Sequence, residues 1–227
     1  MGEPVSPQIP APYAQFDDFL DADDVGHLID FIKRHEQDLS PSGVLAAPGD
    51  EHLDIRRSRT LFELGEIWPI FERQLVGLLP TIRRELNEQW FPLDHIERQL
   101  SVHHDGDFFS VHNDSGGPEV MSRRVTYVYY FNIEPKQFEG GELWVYDFFE
   151  KDFIRWKGDA HVALQPRHNS IVFFPSWVHH EVRPVHGLAE GIEGCRMTVN
   201  GWFHEPRIDP EPQPANEEQP VSDVTGV

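Results

Sequence analysis

Gly106–Asp114 reads GDFFSVHND, and the reading of this stretch decides the fold. It closes on a histidine and a carboxylate two positions apart, His112 and Asp114. On a strand, residues i and i+2 point to one face, so both side chains reach one cation. An imidazole and a carboxylate together suit a borderline metal such as Fe(II), with a second histidine from elsewhere completing a 2-His-1-carboxylate face. Phe108, Phe109 and Val111 favour a strand, and Ser115-Gly116-Gly117-Pro118 ends it with strong turn chemistry. The pair therefore sits at a strand end that opens into a loop. A second such group, His103-His104-Asp105, lies just upstream, so the surrounding sequence has to discriminate between them.

Outward from this stretch the pattern has a period of two from about Ile96. Short runs follow at 98–104, 108–112, 124–132, 142–146, 153–157, 162–164, 170–174, 181–185 and 196–204. Gly, Pro, Asn or Asp separates many of them, which predicts a sandwich or barrel. Upstream the period is helical. Asp21 is a candidate N-cap with Asp24 at N3, and Val25, Leu28, Ile29 and Ile32 form one apolar stripe ahead of Lys33 and Arg34. Residues 40–52 read as a loop and Arg56–Leu64 as a strand. A second helix is expected from about Trp68, with Pro69 in its first turn and Ile70, Phe71, Leu75, Leu78 and Leu79 as its stripe. Pro80 predicts a kink or a fresh start at Thr81, leading to Ile82 and Leu86.

Composition narrows the function. A chain of 227 residues buries a core without disulfides, and aromatic residues make up 12% of it. The net charge of −20 repels phosphate, which argues against nucleic-acid and anionic-membrane partners. The single cysteine, Cys195, excludes a disulfide framework and suits a reducing interior. No apolar run has membrane-spanning length and the N-terminus lacks a basic-plus-apolar signal, so a cytoplasmic location is expected. The organisation expected is an arm and helices over 1–95, a β core over 96–206, and a Pro-rich acidic tail over 207–227 that is expected to be disordered.

Five features follow Asp114 in order: RRVTYVYYFN at Arg123–Asn132; Gly140-Gly141-Glu142-Leu143; SIVFFPS at Ser170–Ser176; His179-His180-Glu181-Val182-Arg183-Pro184-Val185; and Arg196-Met197-Thr198 opening a last strand through Trp202. Together they resemble the Fe(II)/2-oxoglutarate-dependent dioxygenases, within them the prolyl-4-hydroxylase-like branch, over residues 99–204. The resemblance implies a double-stranded β-helix, a jelly roll with helices outside and the metal in its mouth. It implies His112, Asp114 and His180 as iron ligands. It implies Arg196 as the anchor for the distal carboxylate of 2-oxoglutarate, with Thr198 and Tyr130 beside it. A guanidinium fork matches a carboxylate bidentately. His179 would face away from His180 on a strand. Only Asp114, of the two candidate carboxylates, has the Gly-x-Phe-Phe lead-in, and it fills the position that related halogenases leave open for chloride.

The chain departs from the family at His103, where a tyrosine is common, and in the fifteen residues between His180 and Arg196, where HGLAEGIEG is inserted. The resemblance further implies hydroxylation of an unactivated C–H, with release of succinate and CO2 and with ascorbate as a candidate auxiliary. Molecular oxygen and a small-molecule or peptide substrate are the partners, a prolyl residue or amino acid first among them. Ser115–Arg124, Leu39–Asp54 and Asp147–Lys151 lie where substrate loops lie, and Trp144, Trp177 and Arg183 are candidate entrance residues. The competing readings are a non-enzymatic cupin-like metal-binding module, a cupin dioxygenase needing no keto acid, and an oxygenase of this fold acting on a metabolite.

Overall fold

The computed structural model describes residues 7–42 and 55–207. Its elements run β1 (Ala14–Asp17), α1 (Ala22–Arg34), β2 (Ser40–Pro41), β3 (Arg56–Arg57), β4 (Arg59–Leu61), α2 (Trp68–Glu85), β5 (Ile96–His103), β6 (Phe108–His112), β7 (Arg123–Phe131), β8 (Phe138–Gly140), β9 (Leu143–Lys151), β10 (Ile154–Leu164), β11 (Ser170–Pro175), β12 (His180–Val182), β13 (Val185–Gly187) and β14 (Arg196–His204). The large sheet has the order β1-β11-β7-β14-β5-β4-β2 and the smaller one β10-β9-β12-β6-β3, with β13-β8 as a separate pair. Every ladder is antiparallel. The two sheets form the double-stranded β-helix.

Strand alternation builds two cores. On β7, Val125, Tyr127, Tyr129 and Phe131 join Phe173 of β11 and Val199 and Phe203 of β14 in one cluster. That cluster includes Leu28 and Ile32 of α1 and Phe71 and Leu75 of α2, so both helices cover the outer face of the large sheet. The intervening residues Val128 and Tyr130 join Leu143, Val145, Val172 and Phe174 in a second cluster between the sheets. The polar members of that inner face include Thr126, His103, Arg196 and Thr198, all buried. A face that takes polar groups inward at one end of an apolar barrel is a site in the making.

Asp21 caps α1 by accepting from the Asp24 backbone N–H at 2.9 Å, as its sequence predicts. Of the two outcomes expected at Pro80, the fresh start at Thr81 does not occur: α2 runs as one helix from Trp68 to Glu85 with Pro80 inside it. Pro80 removes the i+4 donor of the Val76 carbonyl, and both residues lie on the exposed face of the helix, where water can take that donor's place. The strand expected over Arg56–Leu64 divides at buried Ser58 into β3, on the smaller sheet, and β4, on the large one. The runs at 153–157 and 162–164 belong to one long strand, β10. The segment Asp147–Lys151, expected as a loop, is the end of β9. Asp152 and Phe153, both at positive φ (53° and 66°), make the tight turn that joins β9 and β10. The run 181–185 divides into β12 and β13, which pair with different partners. The first part of the arm, most of the 40–52 loop and the tail beyond Arg207 lie outside the described residues. Among the described residues no helix is long and apolar enough to cross a membrane.

Candidate metal centre and carboxylate cradle

His112 ends β6, Asp114 lies two residues beyond it, and His180 opens β12 directly opposite His112. Their ligand-capable atoms all fall within 4.8 Å of one another. His112 Nε2 is 3.6 Å from Asp114 Oδ1, and His180 Nε2 is 3.5 Å from Asp114 Oδ2. Each imidazole turns Nδ1 to a carbonyl two residues back, Ser110 at 2.8 Å and Val178 at 3.0 Å. A carbonyl only accepts, so both rings carry the proton on Nδ1 and present the Nε2 lone pair to the centre. Burial pushes the His112 imidazole down to about 3, with the neighbouring His180 adding to the effect, so it is neutral at physiological pH. Burial alone would raise the Asp114 carboxyl, but its histidine neighbours and the Thr126 hydroxyl hold it below the usual carboxylate range.

Asp114 is fixed from two sides. Its backbone N–H donates to the Ser176 carbonyl at 2.8 Å, and Thr126 Oγ1 donates to its Oδ2 at 2.7 Å. The Trp202 indole N–H favours the carboxylate electrostatically, although it meets no acceptor in hydrogen-bond geometry. Asn113 and His179, the neighbours of two of the three residues, approach each other at 3.5 Å. With Phe148, Trp156 and Trp177 they line a separate cavity of about 230 Å³. His179 therefore turns away from the centre, as alternation requires.

A cradle lies on the same inner face. Arg196 is the cross-strand partner of His103, and Thr198 pairs with both Tyr130 and Ser101. Arg196 is 1% exposed, and its Nε donates to the Gly141 carbonyl at 2.8 Å. Its guanidinium carbon lies 5.0 Å from the centre of the Tyr130 ring. Arg196 Nη2, the Tyr130 hydroxyl and both ring nitrogens of His103 are buried without a partner among the described residues. Tyr130 and Arg196 feel each other's charge, but no hydrogen-bond geometry joins them. Burial, then the charges of Arg196 and Arg56, hold His103 neutral, so it offers one donor and one acceptor. Such a concentration of orphaned polar groups in one place calls for a polar ligand. Thr198 Oγ1 bonds Asn200 Oδ1 at 3.3 Å.

Thr126 and Tyr130 are four residues apart on one face of β7, about 13 Å at a strand's rise. The glycine pair explains the depth of the guanidinium. Gly141 has φ +67°, and a Cβ there would come within 2.6 Å of Arg196 Cδ.

Sequence reasoning named His112, Asp114, His180, Arg196, Thr198 and Tyr130, and the structure brings them onto one interior face. It passed over Thr126 as a hydrogen-bond partner of Asp114, although the i+4 relation to Tyr130 was on view. It also passed over Arg56, which reaches the same interior from β3. Of the expected entrance residues, Trp177 lines the separate cavity, while Trp144 is sandwiched between His161, at 3.9 Å between ring centres, and the Arg183 guanidinium at 4.2 Å.

Residues 98–204 match the family model described as the 2OG-Fe(II) oxygenase superfamily. An uncharacterized PKHD-type hydroxylase of Synechocystis is 32% identical over 198 residues, covering 86% of this chain and 64% of the relative. The chain thus spans just under two thirds of that relative's length. A prolyl-4-hydroxylase of Pseudomonas putida has the same fold, with a TM-score of 0.62, 22% identity, and 87% and 94% of the two chains covered. So does a prolyl hydroxylase of Trichoplax adhaerens solved with a hypoxia inducible factor peptide fragment, with a TM-score of 0.66, 16% identity, and coverage of 86% and 84%.

Proposed function

We propose that the chain is a member of the 2OG-Fe(II) oxygenase superfamily, whose model residues 98–204 match, and that it works as an Fe(II)- and 2-oxoglutarate-dependent hydroxylase. The observation that carries this is the pairing of two features on one interior face: the His112–Asp114–His180 cluster and the orphaned polar groups around Arg196. Two imidazoles that turn Nε2 inward and one carboxylate suit Fe(II), and the cradle suits a carboxylate. When bound, iron and 2-oxoglutarate supply the dioxygen activation by which an unactivated C–H is hydroxylated, with succinate and CO2 released.

The chain's own residues perform the rest. His112 and His180 aim Nε2 inward because their Nδ1–H groups are already spent on backbone carbonyls. Thr126 holds one carboxylate oxygen of Asp114 and leaves the other free to face the centre. Arg196, gripped at Nε by Gly141, would hold the distal carboxylate through its terminal nitrogens, with Tyr130 O–H and His103 N–H as further donors and Thr198 alongside. The buried Val128, Val145, Val172 and Phe174 would keep water from the bound cosubstrate. Residues 96–206 form the catalytic unit in this proposal, and the N-terminal helices stiffen the sheet that carries the cradle.

The substrate class proposed is a prolyl residue or a proline-like amino acid, supported by the hydroxylase relatives. The test is incubation with Fe(II), 2-oxoglutarate and ascorbate, following succinate, and mass spectrometry of prolyl peptides and free amino acids for one added oxygen. His112→Ala and Asp114→Ala are expected to abolish both signals; full turnover in either variant refutes the ligand assignment. Absence of 2-oxoglutarate binding would leave the metal-binding module, which the buried Arg196 and Thr198 at present weigh against.

A further inference from the structure

We propose that Arg56 is a substrate-recognition residue that binds a carboxylate group of the molecule to be oxidised. This rests on the hydroxylase activity proposed above. Arg56 lies on β3 opposite Phe109 of β6, so the two side chains share a face. That face is the interior. The β6–β12 ladder carries an irregularity between the His112–His180 and Phe109–Val182 pairs, with three steps on β6 against two on β12. The extra residue turns Phe109 to the same side as His112, and their rings stack at 3.6 Å between centres and 18°. The Arg56 guanidinium carbon sits 4.8 Å from the centre of the Phe109 ring. Guanidinium, phenyl ring and metal-facing imidazole thus form one column beside the cluster. Its neighbour Arg57 points the other way, to the Gly106 carbonyl at 2.9 Å.

The fork is held and, among the described residues, uncommitted. Arg56 Nε donates to Ser58 Oγ at 3.0 Å, and Ser58 Oγ is in turn 2.8 Å from Ser42 Oγ. Among the described residues the terminal nitrogens have no acceptor, and no carboxylate lies within ion-pair distance. Burial lowers its pKa to about 10, which leaves it charged at neutral pH, and Asp114 is the carboxylate it feels. A bound cation would take up the Asp114 charge, leaving the guanidinium uncompensated in a partly desolvated cavity. An arginine so placed, in a chain of net charge −20, is matched by an anionic group arriving with the substrate. Arg196 already serves the cosubstrate from the deep end. The same chemistry is offered by the α-carboxylate of a free amino acid and by an acidic side chain beside a target prolyl residue.

The experiment is calorimetric, on the full chain loaded with Mn(II) in place of Fe(II) so that nothing turns over. 2-Oxoglutarate is titrated first; if it does not bind, the hydroxylase and this inference fall together. With it bound, L-proline is compared with L-prolinamide, and N-acetyl-Pro-Glu-amide with N-acetyl-Pro-Gln-amide. The acid of one pair is expected to bind about 10- to 100-fold more tightly than its amide, and the pair concerned identifies the source of the carboxylate. Arg56→Gln is expected to erase that preference while keeping 2-oxoglutarate affinity within twofold. Arg56→Lys, which keeps the charge and loses the fork, should retain part of it. If 2-oxoglutarate binds but acid and amide bind alike, or if Arg56→Gln weakens 2-oxoglutarate instead, Arg56 is not a substrate residue and only this inference fails.

Discussion

Replacing Gly141 by alanine tests the cradle without touching any proposed contact to a ligand. Two costs follow from the geometry. The residue sits at φ +67°, where an L side chain costs about 1–2 kcal/mol. For a domain of this size that lowers the melting temperature by about 2–8 °C. The new methyl would also lie 2.6 Å from Arg196 Cδ and 3.0 Å from a Val185 methyl, so the buried arginine stem must shift. A displaced guanidinium forfeits a charge-assisted hydrogen bond, about 1.5–3 kcal/mol, or roughly 10- to 150-fold in 2-oxoglutarate affinity. Gly140→Ala supplies the control. Gly140 has φ +69°, and its Cβ would collide with the Pro184 carbonyl oxygen, whereas none of its three nearest contacts belongs to Arg196. The assay is calorimetric titration of 2-oxoglutarate into the Mn(II)-loaded protein, with thermal unfolding in parallel. Gly141→Ala should lose affinity beyond its loss of stability, and Gly140→Ala should lose stability alone. Equal 2-oxoglutarate affinities in wild type and Gly141→Ala would refute the claim that this glycine sets the depth of Arg196.

Three further outcomes are expected. Thr126→Val keeps the shape of the side chain but removes the 2.7 Å bond to Asp114, and should weaken Fe(II) affinity by about 10- to 100-fold in a chelator competition; unchanged affinity would make that bond incidental. Hydrogen bonding to Asp107, with a further contribution from Cys195, raises His104 to about 10. Because the folded value exceeds the unfolded one, the stabilisation is complete below about pH 6.5 and is lost as pH rises through 10. The side chain is 40% exposed, so screening reduces the effect to about 1 kcal/mol. His104→Gln should flatten the fall in melting temperature over that window, and an identical slope in the variant would exclude the pair as its source. Glu97→Ala removes the bidentate partner of Arg123, whose guanidinium lies 3.5 Å from the centre of the Trp202 ring. Since Glu97 is partly exposed, about 1–3 kcal/mol of stability should be lost in denaturant titration; a loss below about 0.5 kcal/mol would show the pair to be solvated.

Much of this was legible in the chain because period and spacing are local properties. The H-x-D pair at a strand end needs only alternation, and the residues of β7 and β14 sort themselves into helix-facing and cavity-facing sets by parity alone. The α1 cap is a matter of four residues. What escaped was set by tertiary contact. Pro80 carries a real local penalty, but on the solvent face of α2 the lost bond costs little, and Phe71, Leu75, Leu79 and Ile82 on the buried face keep the helix continuous across it. The Arg56–Leu64 run has strand propensity throughout, yet nothing in its sequence says that residues 56 and 57 pair with one sheet and 59 to 61 with the other.

Arg56 shows why that division matters. A continuous strand over 56–64 would sit in a single ladder, and alternation within it would say nothing about a second sheet. The crossing at Ser58 places β3 on the edge of the smaller sheet, next to the strand that ends in His112, and it leaves Ser58 buried where it can hold Arg56 Nε. The extra residue in β6 then turns Phe109 inward beneath the guanidinium. Both devices are departures from regular pairing, and neither changes hydrophobic pattern, so neither leaves a periodic signal. Irregularities of this kind gather next to sites because re-aiming one side chain requires breaking the ladder locally. The residues proposed to hold the metal and the deep arginine follow from alternation and motif order, and were readable. The irregular part, where the substrate is proposed to be selected, was not.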